Sequence, residues 1–321
     1  MTPVTPLTLP HLDAAAVLAL GPAGAADALE RALRDDLDPA AGVPRSFVDV
    51  PAGELIVMPA AGARHVGVKL VGVAPGNAAR GLPRIGAVYV LFDAATMQPV
   101  ATLDGTALTT LRTPASSIVG LRPWLRRATG PQQVVVFGAG PQGVGHVDAL
   151  AAEVALGPVT FVVRTPARVT LPADGFAAGA TVLATDDPGV ADALRSADVV
   201  VCATTARTPV FDPGLLGEAV LVAAVGSHEA EAAEVDAAFV RTATVVVEDV
   251  ATALRECGDV VQAVAAGAVG ADDLVTLSEV ARGEAPTSTG RVLFKGSGMA
   301  WQDLVVAEAV LDRARASASS H

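Results

Sequence analysis

Three basic residues in the first half of the chain are of types that bind anions. Lys69 interrupts an apolar run, His65–Val73, in which an unpaired ammonium group costs several kcal/mol to bury. The lysine therefore has an anionic partner, or it lies on an exposed edge strand, the commoner position for a single strand lysine. Neither Arg112 nor Arg45 indicates a function by itself. Together the three side chains suit a carboxylate ligand, because a guanidinium group binds both carboxylate oxygens in one plane.

A glycine-rich motif begins where a second apolar run ends. The strand-like segment Gln132–Phe137 leads directly into Gly138-Ala139-Gly140-Pro141-Gln142-Gly143, and a helix-like segment follows. In this G-x-G-x-x-G pattern Gly138 forms the tight turn, Gly140 admits a pyrophosphate and Gly143 lets the helix pack on the strand. The alternative is a glycine turn without a ligand. The strand before the motif and the helix after it favour a dinucleotide site, with the pyrophosphate at the helix N-terminus.

The residues after the next predicted strand bear on the choice of cofactor. An NAD-binding protein usually has a carboxylate about 20 residues past the motif, whereas an arginine there accommodates the 2′-phosphate of NADP. Here the segment reads Val163-Arg164-Thr165, with Arg168 close behind. We therefore predict NADPH, with Arg164 and Thr165 as phosphate ligands. The alternatives are NADH as the cofactor and an ordinary exposed arginine.

Two regions of different character must position these residues. From Arg45 to about Leu103, short β-rich runs are separated by Pro, Gly, Asn and Asp, which predicts antiparallel strands. From Pro131 onward, strand candidates alternate with helical segments, as in a parallel doubly wound sheet. The predicted strands are Glu54–Met58, His65–Val73, Gly86–Phe92, Pro99–Leu103, Gln132–Phe137, Val159–Val163, Ala180–Ala184, Asp198–Cys202, Ala219–Val225 and Ala243–Val247. The predicted helices are Ala14–Leu20, Ala25–Leu37, Thr106–Leu121, Val144–Ala155, Val190–Leu194 and Leu304–Ala316.

Composition narrows the class of protein. The 321 residues suggest about two domains, and 51% hydrophobic residues can form a substantial core. A net charge of −12 without a Lys/Arg cluster argues against nucleic-acid binding. We find no apolar run long enough for a transmembrane helix and no signal-peptide pattern. The two cysteines suggest neither a disulfide framework nor a metal site, so a cytoplasmic protein is expected.

Several motifs together resemble the ornithine cyclodeaminase/mu-crystallin family. They occur in family order over nearly the whole chain, and the segments 75–83 and 226–236 look most like its Δ1-pyrroline-2-carboxylate reductases. The motifs are Lys69-Leu70-Val71, Pro75-Gly76-Asn77-Ala78-Ala79-Arg80-Gly81-Leu82-Pro83, Leu103-Asp104-Gly105, Leu108-Thr109, Arg112-Thr113, Gly138-Ala139-Gly140-x-Gln142, Leu293-Phe294-Lys295-Gly296-Ser297-Gly298-Met299-Ala300 and Gln302-Asp303-Leu304.

The resemblance implies an α/β fold: a Rossmann doubly wound parallel sheet, residues 118–302, plus a smaller α+β substrate and dimerisation domain, residues 1–117 with 303–321. It implies a homodimer formed through the sheet of the smaller domain. Arg45, Lys69 and Arg112 would bind the substrate carboxylate. The residues implied to contact the cofactor are Thr113, Gly140, Gln142 and the loop around Ser297, with the turns at Ala203–Thr204 and Val225–Gly226 along the nicotinamide.

Three positions depart from the family pattern. Family cyclodeaminases have an aspartate for the distal amine of the substrate where this chain has His228, and a histidine cannot supply that anion. The alternative is a loop histidine without a role. Arg84 replaces a threonine and either adds positive charge to the pocket or blocks it. Pro114 replaces an alanine and either bends the helix or begins a new helical segment.

These features predict an NAD(P)H-dependent imine reductase. Hydride would reduce Δ1-pyrroline-2-carboxylate to proline, or Δ1-piperideine-2-carboxylate to pipecolate. Lys69 is the first candidate for supplying the proton, with water or His228 second. The rival interpretations are an ornithine cyclodeaminase with bound NAD⁺, an alanine or opine-type dehydrogenase, and a non-catalytic NADPH-binding protein of the crystallin kind.

Overall fold

A computed structural model describes residues 9–35, 37–286 and 289–319. In chain order the strands and helices are β1 (His11–Leu12), α1 (Ala14–Leu18), α2 (Gly21–Arg34), β2 (Ser46–Val50), β3 (Gly53–Ala61), β4 (His65–Val73), β5 (Ile85–Asp93), β6 (Pro99–Asp104), α3 (Gly105–Leu125), β7 (Gln132–Phe137), α4 (Pro141–Ala151), β8 (Leu156–Val163), β9 (Thr181–Ala184), α5 (Gly189–Arg195), β10 (Val199–Cys202), β11 (Leu221–Ala224), α6 (Ala237–Val240), β12 (Ala243–Val247), α7 (Val250–Glu256), α8 (Gly258–Ala265), β13 (Val275–Thr276), α9 (Leu277–Arg282), β14 (Arg291–Lys295) and α10 (Ala300–Ser319).

These elements form two compact units. The first contains the described residues up to Ala28, the segment Ala41–Arg112, and the described residues from Met299 onward. The second contains Leu29–Ala40 and Thr113–Gly298. The division within α3 falls five residues before the boundary predicted from the sequence.

The sheet of the first unit is mostly antiparallel, in the order β1-β6-β5-β4-β3-β2. Alternate residues of β4 are buried, as the period of two in a strand requires when one face is covered. Helix α10 packs against β3 and β4 on the face that carries Lys69, and Ala300 contacts the small apolar cluster of Ile56, Met58 and Val71. The opposite face carries a second set of apolar side chains.

The sheet of the second unit is parallel throughout, in the order β13-β12-β14-β11-β10-β7-β8-β9. Its central strands are buried apolar runs, such as Val199–Cys202, because helices cover both faces of such sheets. The strand order reverses direction between β7 and β10. In an open α/β sheet, ligands bind at the carboxyl ends of the strands at such a reversal.

This architecture confirms the predicted fold class. Strand β14 was not predicted, although it lies between β11 and β12, because only its second half, Leu293–Lys295, had been noted, and only as part of a family motif. The short helices α6 to α9 were also missed. The expectation that Pro114 begins a new helical segment is wrong, since α3 continues through this proline. None of the described helices combines the length and the apolar character that a membrane span needs.

Candidate active site

Lys69 lies at the centre of the sheet of the first unit, since β4 pairs with β3 on one side and β5 on the other. Only 1% of the residue is exposed, so the edge-strand interpretation is wrong. Its Nζ lies 2.8 and 2.7 Å from the two carboxylate oxygens of Asp303 and donates to Thr109 Oγ1 at 3.2 Å. The buried ammonium group thus has the anionic partner that its burial requires.

Asp303 brings a second cation to the same place. It stands in the first turn of α10, is fully buried, and accepts from Arg112 Nε at 3.2 Å through Oδ1. Arg112 also donates from Nη1 to Gln302 Oε1 at 2.9 Å. The side chains of Lys69 and Arg112 therefore converge on one carboxylate, and the proline two residues after Arg112 does not turn it away.

The pKa of Lys69 is lowered to about 8. Burial is the main cause, because it penalises the charged ammonium group. The positive charges of Arg112 and Arg45 lower the pKa further, whereas Asp303 opposes both effects. Arg45 is half-buried just before β2, and its charge acts on Lys69 even though the two are distant in sequence. The cluster can both bind an anion and exchange a proton near neutral pH.

The charge balance of this cluster determines what it can hold. Two cationic side chains, Lys69 and Arg112, share the carboxylate of Asp303, and the positive charge of Arg45 also acts on Lys69. The excess of positive charge can be neutralised by a small anion. A carboxylate is the group whose planar pair of oxygens matches a guanidinium group. We find no cluster of His, Cys, Asp or Glu in the described ranges that could hold a metal ion.

In the second unit, the glycine motif has the geometry that a bound pyrophosphate requires. Gly138 has φ 96°, and a Cβ there would lie 2.4 Å from the carbonyl oxygen of Ala203. A Cβ on Gly143 would lie 2.0 Å from the carbonyl oxygen of Gly138, so only glycine allows α4 to approach the turn this closely. A Cβ on Gly140 would point into open space. Gly140 precedes the first turn of α4, and an anion can approach the backbone there.

Arg164 and Thr165 follow β8 directly and are both exposed. Strand β8 pairs with β7, so its carboxyl end lies beside the end of β7, from which the glycine turn begins. Arg168 is exposed in the next turn. Neither guanidinium group has an acidic partner among the residues that the structure describes, and both can receive a phosphate.

A buried carboxylate connects the turns that follow β10 and β11. Glu234 is fully buried and accepts from Thr204 N at 2.8 Å, Thr204 Oγ1 at 2.6 Å and Gly226 N at 2.7 Å. Burial raises the pKa of Glu234, while Lys295 and the hydrogen bonds from Thr204 oppose the rise. These hydrogen bonds fix the two turns at the strand-order reversal.

The remaining predicted site residues lie at neighbouring positions of the second unit. Ser297 N and Gly298 N donate to Glu248 Oε2, both at 3.0 Å, which fixes the loop after β14. Thr113 is half-buried on α3. His228 is exposed in the loop after β11, and it belongs to a different unit from Lys69.

Sequence reasoning gave no role to Asp303, Glu234 or Tyr89. Asp303 was quoted only as part of a motif, although the need of Lys69 for an anion was a signal that could have identified it. No sequence pattern pointed to Glu234, because its role is to bind two turns that are separated along the chain.

The fold and these two sites together define a class: dinucleotide-binding α/β proteins with a separate cationic site for a small acid. The profile of the ornithine cyclodeaminase/mu-crystallin family matches residues 20–318, and the chain belongs to this family. The predicted resemblance is therefore confirmed.

Three known proteins illustrate the similarity. The chain is 35% identical over 274 residues to a Δ(1)-pyrroline-2-carboxylate/Δ(1)-piperideine-2-carboxylate reductase of Azospirillum brasilense, covering 84% of this chain and 83% of that protein. The structure of Thermococcus litoralis Δ(1)-pyrroline-2-carboxylate reductase in complex with NADH and L-proline is similar with a TM-score of 0.83 and 25% identity, over 97% of this chain and 98% of that one. An archaeal alanine dehydrogenase dimer with bound NAD is similar with a TM-score of 0.80 and 27% identity, over 96% and 97% of the two chains.

Proposed function

We propose that this protein is an NAD(P)H-dependent oxidoreductase that reduces the C=N bond of a cyclic imino acid, Δ1-pyrroline-2-carboxylate or Δ1-piperideine-2-carboxylate. The observation that carries the proposal is the buried cluster of Lys69, Arg112 and Asp303, in which cations outnumber the carboxylate. The relatives from Azospirillum brasilense and Thermococcus litoralis, which are named for this chemistry, support the same function.

Arg45 and Arg112 bind the substrate carboxylate in this proposal. Arg112 donates hydrogen bonds to Gln302 and Asp303, so its guanidinium group is oriented before the substrate arrives. Such preorganisation fixes the position of the imine carbon, and correct placement of reacting groups lowers a barrier by several kcal/mol. A reduced nicotinamide, when bound, supplies the hydride.

Lys69 donates a proton to the imine nitrogen in this proposal. Amine formation from an imine consumes one proton besides the hydride, and the proton donor must be protonated at the working pH. Since the pKa of Lys69 is lowered to about 8, most Lys69 side chains are protonated at neutral pH, and they release the proton more readily than an exposed lysine does. His228 and water stay as second candidates.

We further propose that NADPH is preferred over NADH. The glycine geometry at Gly138, Gly140 and Gly143 suits the pyrophosphate, with Gln142 and Thr113 as further contacts. Arg164 supports the preference, because an exposed guanidinium group beyond β8 without an acidic partner in the described chain is available for a 2′-phosphate. Thr165, Thr204 and Ser297 complete the proposed cofactor contacts.

A homodimer is the assembly we propose. The face of the first sheet that turns away from α10 carries apolar side chains on adjacent strands, and Val48, Leu55 and Val88 are 49%, 36% and 37% exposed. Val68 and Val90 pair on the same face. A contiguous apolar patch of this kind marks a protein interface, and the similar alanine dehydrogenase is a dimer. We assign substrate binding and dimerisation to residues 1–117 with 303–321, and dinucleotide binding to residues 118–302.

The cytoplasm is the location we propose for this protein. Both of its cysteines are buried and free, which a reducing compartment permits.

The decisive experiment follows NADPH absorbance with each cyclic imine at neutral pH. Oxidation of NADPH is expected with the imines, and no NAD⁺ reduction or ammonia release is expected with ornithine. Lys69→Met should abolish most of the turnover, while Arg195→Ala, on an exposed residue of α5, serves as the matched surface control. Activity with pyruvate and ammonium but not with the imines would instead make the protein an amino acid dehydrogenase.

A further inference from the structure

Tyr89 has a fully buried hydroxyl group for which the described part of the chain provides no hydrogen-bond partner. A buried polar group without a partner is destabilising, and a phenylalanine would fill the same space without that penalty. Such a group in a native protein therefore calls for an explanation other than packing.

The position of the hydroxyl is set by a glycine. A Cβ on Gly67 would lie 2.1 Å from the Tyr89 oxygen, so the phenol ring extends over this residue and requires that it be glycine. On the buried face of β4, Gly67 lies between His65 and Lys69. The hydroxyl is thus located between two titratable side chains on the same strand face.

Each of these two side chains is paired with a carboxylate from α10. His65 Nδ1 lies 2.8 Å from Glu308 Oε1, and Lys69 is paired with Asp303. Both carboxylates raise the pKa of Tyr89, although burial is the larger cause. The charged groups that act on the hydroxyl are therefore an outer pair, His65 with Glu308, and an inner pair, Lys69 with Asp303.

The two pairs differ in their access to water. The side chains of Lys69 and Asp303 are 2% and 0% exposed, whereas that of Glu308 is 17% exposed and also contacts Arg64, an exposed residue. If Lys69 gives a proton to the substrate, as the proposed function requires, it must be reprotonated in every turnover. Its own surroundings contain no exposed acid within the described residues that contact it.

We propose that the Tyr89 hydroxyl carries protons from the His65–Glu308 pair to the Lys69–Asp303 pair. One proton leaves the outer pair and binds to the phenol oxygen, as the original hydroxyl proton moves through the Asp303 carboxylate to the neutral Lys69 amine. Tyr89 ends as it began, and the only net change is one proton moved inward. The raised pKa of Tyr89 disfavours a tyrosinate, so the two transfers occur together.

This path is not a standing chain of hydrogen bonds. The hydroxyl has no partner in the described structure, so each transfer needs a brief approach of neighbouring side chains. Proton delivery is therefore slow, and we expect it to limit turnover when the path is damaged.

The test compares Tyr89→Phe with the wild-type enzyme, after the wild type has been shown to oxidise NADPH with an imine. We expect an unchanged or higher melting temperature and unchanged NADPH affinity. We expect kcat to fall by about tenfold, less than the roughly 10²–10⁴-fold contribution of a group that exchanges a proton directly with the substrate. The solvent deuterium isotope effect on kcat should rise, and the effect of deuterated NADPH should approach one. Leu91→Met, on a buried residue of the same face of β5, is the packing control and should leave all five quantities unchanged.

A second variant tests the outer end of the path. Glu308→Gln removes the acid but retains an acceptor for His65, and it should reproduce the isotope effects of Tyr89→Phe. The double variant should be no slower than the slower single variant, because both act on one path. A wild-type kcat and isotope effect in Tyr89→Phe, or a strictly multiplicative double variant, would overturn the inference. Inactivity of the wild type with every imine would contradict the proposed function instead.

Discussion

Replacing Asp303 with asparagine tests whether this carboxylate sets the proton affinity of Lys69. In the wild type, the carboxylate accepts from Lys69 at 2.8 and 2.7 Å and from Arg112 at 3.2 Å, in a fully buried position. Removing one partner of a buried ion pair costs about 3–5 kcal/mol, because the remaining charge is left uncompensated. Asparagine preserves the shape of the side chain, so the loss is mainly electrostatic.

The electrostatic loss can be expressed as a change in pKa. Asp303 raises the pKa of Lys69 against the effects of burial and of two arginines, and the balance is about 8. One pKa unit corresponds to about 1.4 kcal/mol, so a loss of about 3 kcal/mol from the protonated form lowers the pKa by about two units, toward 6. In the variant, Lys69 should therefore be largely neutral at pH values where it is charged in the wild type.

The assay is the dependence of kcat on pH with an imine and saturating NADPH. If Lys69 is the proton donor, wild-type activity should decline above about pH 8, because the protonated form disappears. In Asp303→Asn the decline should begin about two units lower. Asp312→Asn, on a half-exposed residue of the same helix that pairs with Arg64, should leave the profile unchanged. If the activity of Asp303→Asn declines at the same alkaline pH as that of Asp312→Asn, the assignment of Lys69 as the donor is refuted.

The free energy of unfolding should also depend on pH through the protonation of Lys69. The pKa of Lys69 in the folded wild type, about 8, lies below its ordinary value of 10.5. At pH values between these two pKa values, the unfolded chain therefore binds this proton and the folded chain does not. The penalty from burying the charged lysine is complete below about pH 8 and disappears as the pH rises toward 10.5. In Asp303→Asn this penalty should begin to disappear at lower pH. The free energy of unfolding in urea, determined at several pH values, will measure the change.

Three further predictions concern the cofactor site and the assembly. Arg164→Ala should raise KM for NADPH by about 10–100-fold and leave KM for NADH unchanged, because only NADPH offers a phosphate to this side chain; Arg195→Ala is the control in the same steady-state assay. Gly226→Ala should lower both the melting temperature and the affinity for cofactor, measured by thermal unfolding and fluorescence titration, because its Cβ would lie 2.1 Å from Thr204 O and 2.6 Å from Glu234 Oε1. Val68→Asp should convert the dimer to monomers in light scattering after size-exclusion chromatography, since it places a charge in the apolar face; a dimer that persists would place the interface elsewhere.

The elements that sequence predicted well are those with a strong local pattern. Strand β4 was predicted with its observed bounds, because its apolar run ends in clear turn residues. The glycine motif was placed between β7 and α4 because strand, turn and helix are consecutive in the chain. By contrast, Lys69 and Asp303 are 234 residues apart, and no local pattern shows that they meet.

The missed elements are short or depend on distant neighbours. Helices such as α6 and α9 have four and six residues, too few for a helical period to emerge from an alanine-rich background. Strand β14 has only three apolar residues, between Arg291 and Lys295, and its place inside the sheet comes from pairing with β11 and β12. The partnership of Glu234 with two separate turns is likewise decided by tertiary structure alone.

The distribution of the two units along the chain has a consequence for biosynthesis. The second unit consists mainly of the continuous segment Thr113–Gly298, so it can fold soon after that segment leaves the ribosome. The first unit needs α10, which supplies the counter-ion for Lys69. Until the last of these residues emerge, β4 carries an unneutralised ammonium group on the face that is to be buried. The strands of the first unit are therefore synthesised well before the helix that neutralises Lys69, and the proton-handling site is complete only after α10 has been translated.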